Sequence, residues 1–168
     1  EWFSISHAEL EQGVRHLVLG LQALGLETGE RVAILSENRP EWALVDYAAL
    51  CYATPNVPIY ATLPPNQVAY ILRDSGARVA FVSTEDQLAK VVEAWPDLPE
   101  LAGVIVFDDI EADDDRIMTL STVLDLGRQE EEAGRGGDFR EQALTADPSS
   151  IATILYTSGT TGEPKGVM

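Results

Sequence analysis

Basic residues are scarce in this chain. Eleven Lys and Arg stand against 28 Asp and Glu, a formal net charge of −17 over 168 residues. A surface of that sign repels nucleic-acid phosphates and anionic lipid headgroups, which argues against a DNA- or RNA-binding module and against electrostatic adsorption to membranes. Cysteine is nearly absent: Cys51 stands alone, which excludes an internal disulfide and fits a reducing compartment. Long apolar runs are lacking as well. The longest uncharged stretch, 47–72, is broken by Pro55, Pro58, Pro64 and Pro65 and carries Asn56, Asn66 and Gln67, so no transmembrane span is expected. What remains is ordinary for a globular protein: 45% apolar and 23% charged residues, enough for one domain with one core. The chain opens on Glu1 and stops at Met168, just past a loop-like motif. It reads as a piece of a longer protein, and a targeting segment outside it is left open.

The acidity is uneven. Residues 108–147 hold 13 acids and 4 basic residues, a net −9. Asp108, Asp109, Glu111, Asp113, Asp114 and Asp115 crowd together there. A calcium loop beginning at Asp109 would need glycine at Asp114 and glutamate at Leu120, and neither fits. A solvated acidic loop is the expectation.

Elsewhere the two structural periods alternate. Ser6 with Glu9 has the form of a capping box, followed by Leu10, Val14, Leu17, Val18 and Leu21 at helical spacing and then Gly25 and Gly29. Pro40 and Pro65 open further helices, Gly76 ends the second of these, and Thr84 caps a helix running toward Trp95. Short apolar runs at 31–35, 78–83 and 103–107 suit buried parallel strands. The extended stretch around Val57 and Ile59 contains Pro58, which points to a sheet edge or a broken strand. Residues 121–132 predict a helix capped by Ser121, residues 134–138 a flexible break, and 152–156 a fourth strand in the same sheet. The fold class expected is α/β: three layers, with a mainly parallel sheet flanked by helices.

The chain ends on its most informative motif. A β-rich run at 151–156 leads directly into Thr157, Ser158, Gly159, Thr160, Thr161, Gly162, Glu163, Pro164, Lys165 and Gly166. The glycines let backbone N–H groups approach a ligand closely, the hydroxyls add donors, and Lys165 adds a point charge suited to a terminal phosphate. The composition points to polyphosphate and offers neither a base nor a metal cluster. It is not a Walker A loop, because Glu163 and Pro164 separate Gly162 from Lys165. Few apolar contacts are expected for 157–166, so the loop should be mobile without nucleotide.

The run Tyr-Thr-Ser-Gly-Thr-Thr-Gly-Glu-Pro-Lys-Gly-Val at 156–167 resembles the signature loop of adenylate-forming enzymes: acyl-CoA synthetases, luciferases and peptide-synthetase adenylation domains. The stretches 30–42, 57–63 and 67–79 resemble the early strands and helices of long-chain fatty acyl-CoA synthetases, and Ala53 stands where that family usually has glycine. The resemblance covers nearly the whole chain except the acidic segment 108–147. It implies that residues 1–168 are an N-terminal fragment of an AMP-binding domain, with the phosphate loop at 156–167. The implied chemistry is attack of a fatty carboxylate on the α-phosphorus of ATP, then displacement of AMP by coenzyme A. By motif position, Thr157, Ser158, Gly159, Thr160, Thr161, Gly162 and Lys165 would bind ATP, with Mg²⁺ helping to offset the charge of departing pyrophosphate. The resemblance places no catalytic residue and no metal ligand of the family within the fragment. It implies small-molecule partners, no nucleic acid, and a cytoplasmic setting or a peripheral one at a membrane. Other members of the class (a peptide-synthetase domain, an aryl- or short-chain acyl-CoA synthetase) stay open, as does a non-catalytic module that keeps the loop.

Several residues invite a role that their neighbourhood does not support. Cys51 has no basic partner at readable spacing and reads as a buried structural thiol. His7 and His16 are nine residues apart, too far to share a metal on one helix face. Ser158 lacks a Gly-x-Ser-x-Gly elbow. Trp2, Trp42 and Trp95 read as packing residues.

Overall fold

The computed structural model of the chain describes residues 4–137, 139–157 and 163–168. Five strands, β1 (Arg31–Ser36), β2 (Asn56–Tyr60), β3 (Ala77–Val82), β4 (Gly103–Val106) and β5 (Ile117–Thr119), form one parallel sheet in the order β2-β1-β3-β4-β5. The helices are α1 (His7–Ala23), α2 (Pro40–Cys51), α3 (Pro65–Ser75), α4 (Glu85–Ala94), α5 (Leu120–Glu132) and α6 (Phe139–Leu144). A separate antiparallel pair, β6 (Leu155–Thr157) and β7 (Lys165–Val167), closes the chain.

Strand periodicity divides the core into two faces. Val32, Ile34, Val79, Phe81 and Ile105 point to a layer formed by α1, α2 and α5, where they meet Leu17, Val18, Val45 and Val123. Ala33, Leu35, Val57, Ala80, Val82 and Val104 point the other way, against Val68 and Ile71 of α3 and Leu88 and Val91 of α4. Burial on both faces explains why these strands read as continuous apolar runs rather than as alternating ones. Each fully buried aliphatic side chain contributes about 1.5–3 kcal/mol.

Local chemistry sets the helix ends. Ser6 accepts from the Glu9 amide at 3.2 Å, and the Glu9 carboxylate accepts from the Ser6 amide at 2.7 Å, closing the box at the start of α1. Pro40 and Pro65 occupy first-turn positions of α2 and α3, where a missing N–H costs nothing. Gly76 ends α3 in the left-handed region at φ 60°. Ala53 adopts φ 53° without being glycine, and its carbonyl accepts from the Gly29 amide at 2.9 Å.

Helices α1 and α5 meet at two glycines. A Cβ placed on Gly127 would lie 1.7 Å from the His16 carbonyl oxygen, and one on Gly20 would lie 2.2 Å from the Val123 carbonyl oxygen. Backbone therefore packs against backbone at this crossing. His16 Nε2 and the Arg15 guanidinium both reach Glu131 at 2.8 Å, tying the same two helices together.

Three expectations need correction. The cap of α5 is Thr119, whose hydroxyl accepts from the Thr122 amide at 3.2 Å; Ser121 instead donates to Asp109 at 2.9 Å. Two short elements, β5 and α6, lie within the acidic segment 108–147 at positions for which the sequence predicted no element. The fourth strand, expected at 152–156, does not join the five-stranded sheet as a full member. It touches β2 through a single parallel bridge, Asn56 to Thr153, and then turns into the β6–β7 hairpin. Pro58 supplies the reason. The Pro55 carbonyl accepts from the Val32 amide, so positions 55, 57 and 59 face β1, while 56, 58 and 60 face outward. Asn56 gives one rung to the incoming chain, and Pro58 has no N–H for the next. β2 is thus the sheet edge that Pro58 led us to expect.

Of the three tryptophans, Trp42 and Trp95 pack against the two core clusters, and Trp95 Nε1 donates to the Leu101 carbonyl at 3.2 Å. Trp2 lies outside the described residues. Cys51 is only partly buried and packs against the α1–α2–α5 side of the core; burial pushes its thiol above its ordinary range.

Candidate functional site

In an open sheet ordered 2-1-3-4-5, a ligand crevice is expected outside the carboxyl ends of β1 and β3, where the strand order reverses. Here the chain's own side chains bond across that position. Ser83, fully buried, donates its hydroxyl to Glu37 at 2.6 Å. Gln87 donates to the other Glu37 oxygen and to the Ala61 carbonyl, each at 3.2 Å. Arg39 bridges the Ser83 carbonyl at 3.1 Å and Asp108 at 2.7 Å while pairing with Glu41. The Ser83 hydroxyl is the main cause that holds Glu37 below its usual carboxylate range. This network was not foreseen from the sequence, and it joins the ends of β1, β3 and β4.

The loop at the end of the chain is a different case. Thr157 is the last residue of β6, Lys165 the first of β7, and the two are paired in the antiparallel register. Residues 158–162 are thereby bracketed by a hairpin. Ser158, Gly159, Thr160, Thr161 and Gly162 lie outside the described residues, as does the mobility expected there. Of the proposed nucleotide-binding residues, the structure therefore places Thr157 and Lys165 and brings them side by side. Both are exposed. Among the described residues, Lys165 has no ion-pair partner, so its charge is not internally neutralised there.

The chain entering this hairpin is held at two points. Asn56, only 3% exposed, receives the Ile154 amide on its carbonyl at 2.9 Å and gives its own amide to the Ala152 carbonyl at 3.1 Å. Its side chain accepts from the Thr153 hydroxyl at 2.6 Å and donates to Asp46 of α2. Further along, the Tyr156 hydroxyl donates to Asp74 of α3 at 2.7 Å. Burial, reinforced by the Asp74 acceptor, raises the Tyr156 phenol well above its ordinary range. Asp46 is likewise raised by burial, an effect the Asn56 amide opposes. Of these holding residues only Tyr156 figured in a sequence motif, as the first residue of the run 156–167; the bonds themselves were not foreseen. The available signal was Asn56 itself, a carboxamide opening an otherwise apolar strand.

Among the described residues, no group of three or more His, Cys, Asp or Glu could hold a metal ion, and no helix is long and apolar enough to cross a membrane.

A three-layer parallel sheet that feeds a glycine- and hydroxyl-rich hairpin defines a nucleotide-binding type of protein. The comparisons make this specific. The family model for AMP-binding enzymes matches residues 1–168, and the chain belongs to that family. It is 36% identical over 170 residues to the long-chain-fatty-acid–CoA ligase FadD15 of Mycobacterium bovis, covering 98% of this chain and 26% of that protein. It is 33% identical over 174 residues to the long-chain-fatty-acid–CoA ligase ACSBG1 of Rattus norvegicus, covering 100% of this chain and 23% of that one. Among solved structures, the long-chain-fatty-acid–CoA ligase FadD1 of Archaeoglobus fulgidus superposes with a TM-score of 0.75 at 25% identity, over 98% of this chain and 30% of that one. An anthranilate CoA ligase in complex with anthranoyl-AMP shares the fold, with a TM-score of 0.74 at 24% identity over 95% of this chain and 28% of that one. The chain spans about a quarter of the length of the curated relatives it matches.

Proposed function

We propose that the protein carrying this chain is a long-chain fatty acid–CoA ligase and that residues 1–168 form the N-terminal part of its AMP-binding domain. In this reading a fatty carboxylate oxygen attacks the α-phosphorus of ATP, the α–β bridging bond breaks, and pyrophosphate leaves. The coenzyme A thiol then attacks the acyl carbonyl, loses its proton, and expels AMP. The observation that carries the reading is the Thr157–Lys165 pairing, which holds the two ends of a polyphosphate-type loop together in a chain matched end to end by the AMP-binding model.

The loop residues Thr157, Ser158, Gly159, Thr160, Thr161, Gly162 and Lys165 would bind the β- and γ-phosphates through backbone N–H groups, hydroxyls and one ammonium. Magnesium is usually held by phosphate oxygens with one or two carboxylates. The described residues offer no cage for it, so no step is assigned to it. Use of ATP and coenzyme A fits a cytoplasmic setting.

The test is Lys165→Ala in the full-length protein, with the two half-reactions followed separately. The ammonium acts where charge grows on pyrophosphate, so acyl-adenylate formation should slow by roughly 30- to 1,000-fold, about 2–4 kcal/mol. Thioester formation from preformed acyl-adenylate should change little. An equal loss in both steps, or none in the first, overturns the role given to Lys165. Absence of ATP–pyrophosphate exchange with any long-chain fatty acid overturns the function itself.

A further inference from the structure

We infer that Asn56, with Asp46 and Thr153, forms a clamp that positions the phosphate loop, and that Asn56 is a positioning residue for acyl-adenylate formation. The inference rests on the function proposed above.

Asn56 is the point at which the loop-bearing chain meets the sheet. Its backbone amide and carbonyl bond to Ala152 and Ile154, and its carboxamide oxygen takes the Thr153 hydroxyl. Its carboxamide N–H₂ donates to Asp46, on the helix preceding β2. One buried side chain thus links α2, β2 and the segment at 152–154. The polar groups are matched as acceptor and donor throughout, which a buried carboxamide requires. The clamp residue Thr153 sits four residues ahead of Thr157, and Pro58 withholds the backbone donor of the next rung along the sheet edge. Among the described residues, the Tyr156–Asp74 bond is the only side-chain hydrogen bond between this entry segment, 152–157, and the helices, and the Thr153–Asn56 bond the only one to the sheet. Loop placement therefore depends on Asn56 more than on any extended ladder. A small displacement of groups that bind a reacting phosphate is costly in rate, because the reaction needs near-attack geometry.

The experiment uses the full-length protein and the variants Thr153→Val, Thr153→Ser and Asn56→Ala. Thr153→Val keeps the side-chain shape and removes the hydroxyl, and Thr153→Ser keeps the hydroxyl. Two readouts are taken: hydrogen exchange at the Ile154 amide, whose bond to Asn56 reports the clamp, and the separate rates of the two half-reactions with ATP and a long-chain fatty acid. Loss of one such hydrogen bond should speed exchange at Ile154 by about 5- to 10-fold, with Asn56→Ala at least as fast and Thr153→Ser near wild type. Acyl-adenylate formation should fall by roughly 10-fold in Thr153→Val and recover in Thr153→Ser, with thioester formation from preformed adenylate unchanged.

Unchanged exchange at Ile154 in Thr153→Val and Asn56→Ala overturns the clamp. Faster exchange with full adenylation activity, or with equal losses in both half-reactions, overturns the positioning role. If the wild-type protein forms no adenylate, the proposed function fails, and the positioning role fails with it. The exchange readout still decides whether the clamp holds the segment.

Discussion

Gly127 is the substitution whose effect the structure predicts most sharply, because two physical effects on it have opposite signs. In an isolated helix, alanine is favoured over glycine by about 1 kcal/mol, so Gly127→Ala in the middle of α5 would ordinarily stabilise. Here the new Cβ would lie 1.7 Å from the His16 carbonyl oxygen and 2.9 Å from the Gly20 nitrogen. Both are backbone atoms of α1, so no rotamer change relieves the clash. The helices must move apart by about 1.5 Å to restore an ordinary contact, which opens the packing of Leu17 and Val18 against Val123. Overpacking costs about 1–3 kcal/mol and occasionally more, and a clash with rigid backbone belongs at the upper end. Net destabilisation should be about 2 kcal/mol or more, lowering Tm by roughly 4–8 °C. The internal control is Gly13→Ala in α1, where the added Cβ would meet only the Leu44 side chain, its Cδ1 at 3.0 Å and its Cδ2 at 3.9 Å. A flexible methyl can yield, so this change should be neutral or stabilising by up to about 1 kcal/mol. Thermal unfolding followed by circular dichroism, run on both variants side by side, reads the difference. If Gly127→Ala matches or exceeds the wild type in stability, the backbone contact between α1 and α5 is wrong.

Other outcomes follow from single features. Ala53→Gly should stabilise by about 0.5–1 kcal/mol in urea unfolding, because the left-handed φ of 53° costs a side-chain-bearing residue about 1–2 kcal/mol, offset in part by the chain entropy of glycine; a loss of stability would contradict it. Thr119→Ala should cost about 1 kcal/mol as a lost cap, while Ser121→Ala should stay within about 0.5 kcal/mol; the reverse order would return the cap of α5 to Ser121. Hydrogen bonds from Arg15 first, and then from His16, hold the Glu131 carboxyl below its ordinary range near 4.5. A lowered folded-state value means that its contribution is fully present above pH 4.5 and is lost as pH falls through the lowered value. Glu131→Gln should therefore flatten the stability profile below pH 4.5 relative to wild type, and superimposable profiles would show that the cluster adds nothing.

What could be read from the sequence was whatever is settled within a few residues. The Ser6–Glu9 box, the prolines opening α2 and α3, and the Gly76 stop act through the next turn of backbone, so their spacing is enough. The apolar runs of β1, β3 and β4 were legible because strands buried on both faces have no polar positions to interrupt them. The cap of α5 was harder: Thr119 and Ser121 are chemically equivalent, and β5, which sets the backbone direction into the helix, is only three residues long. Nothing near Gly127 in the sequence marks its role, because its partner is the distant His16 carbonyl of α1. The entry to the loop at 157–166 was missed for a related reason. Residues 152–156 have the composition of a sheet strand, and what limits their pairing is Pro58, nearly a hundred positions earlier. Asn56 carried a signal, a polar opening to an apolar strand, but its partners Asp46 and Thr153 could be found only from the fold.

Pro58 also bears on how such a chain could change over time. By withholding one donor, it sets where the rigid sheet ends and the hairpin carrying Thr157 and Lys165 begins. Replacing it with valine would supply an outward N–H, and the neighbouring chain could add a further rung. Leu155 and the residues after it would then be drawn along β2, away from their pairing with β7. The length of the segment between the sheet edge and Lys165, and with it the reach of that side chain, is therefore adjustable by a residue on β2 rather than in the loop itself. Variation at position 58 would retune the loop while leaving every residue proposed to bind phosphate in place.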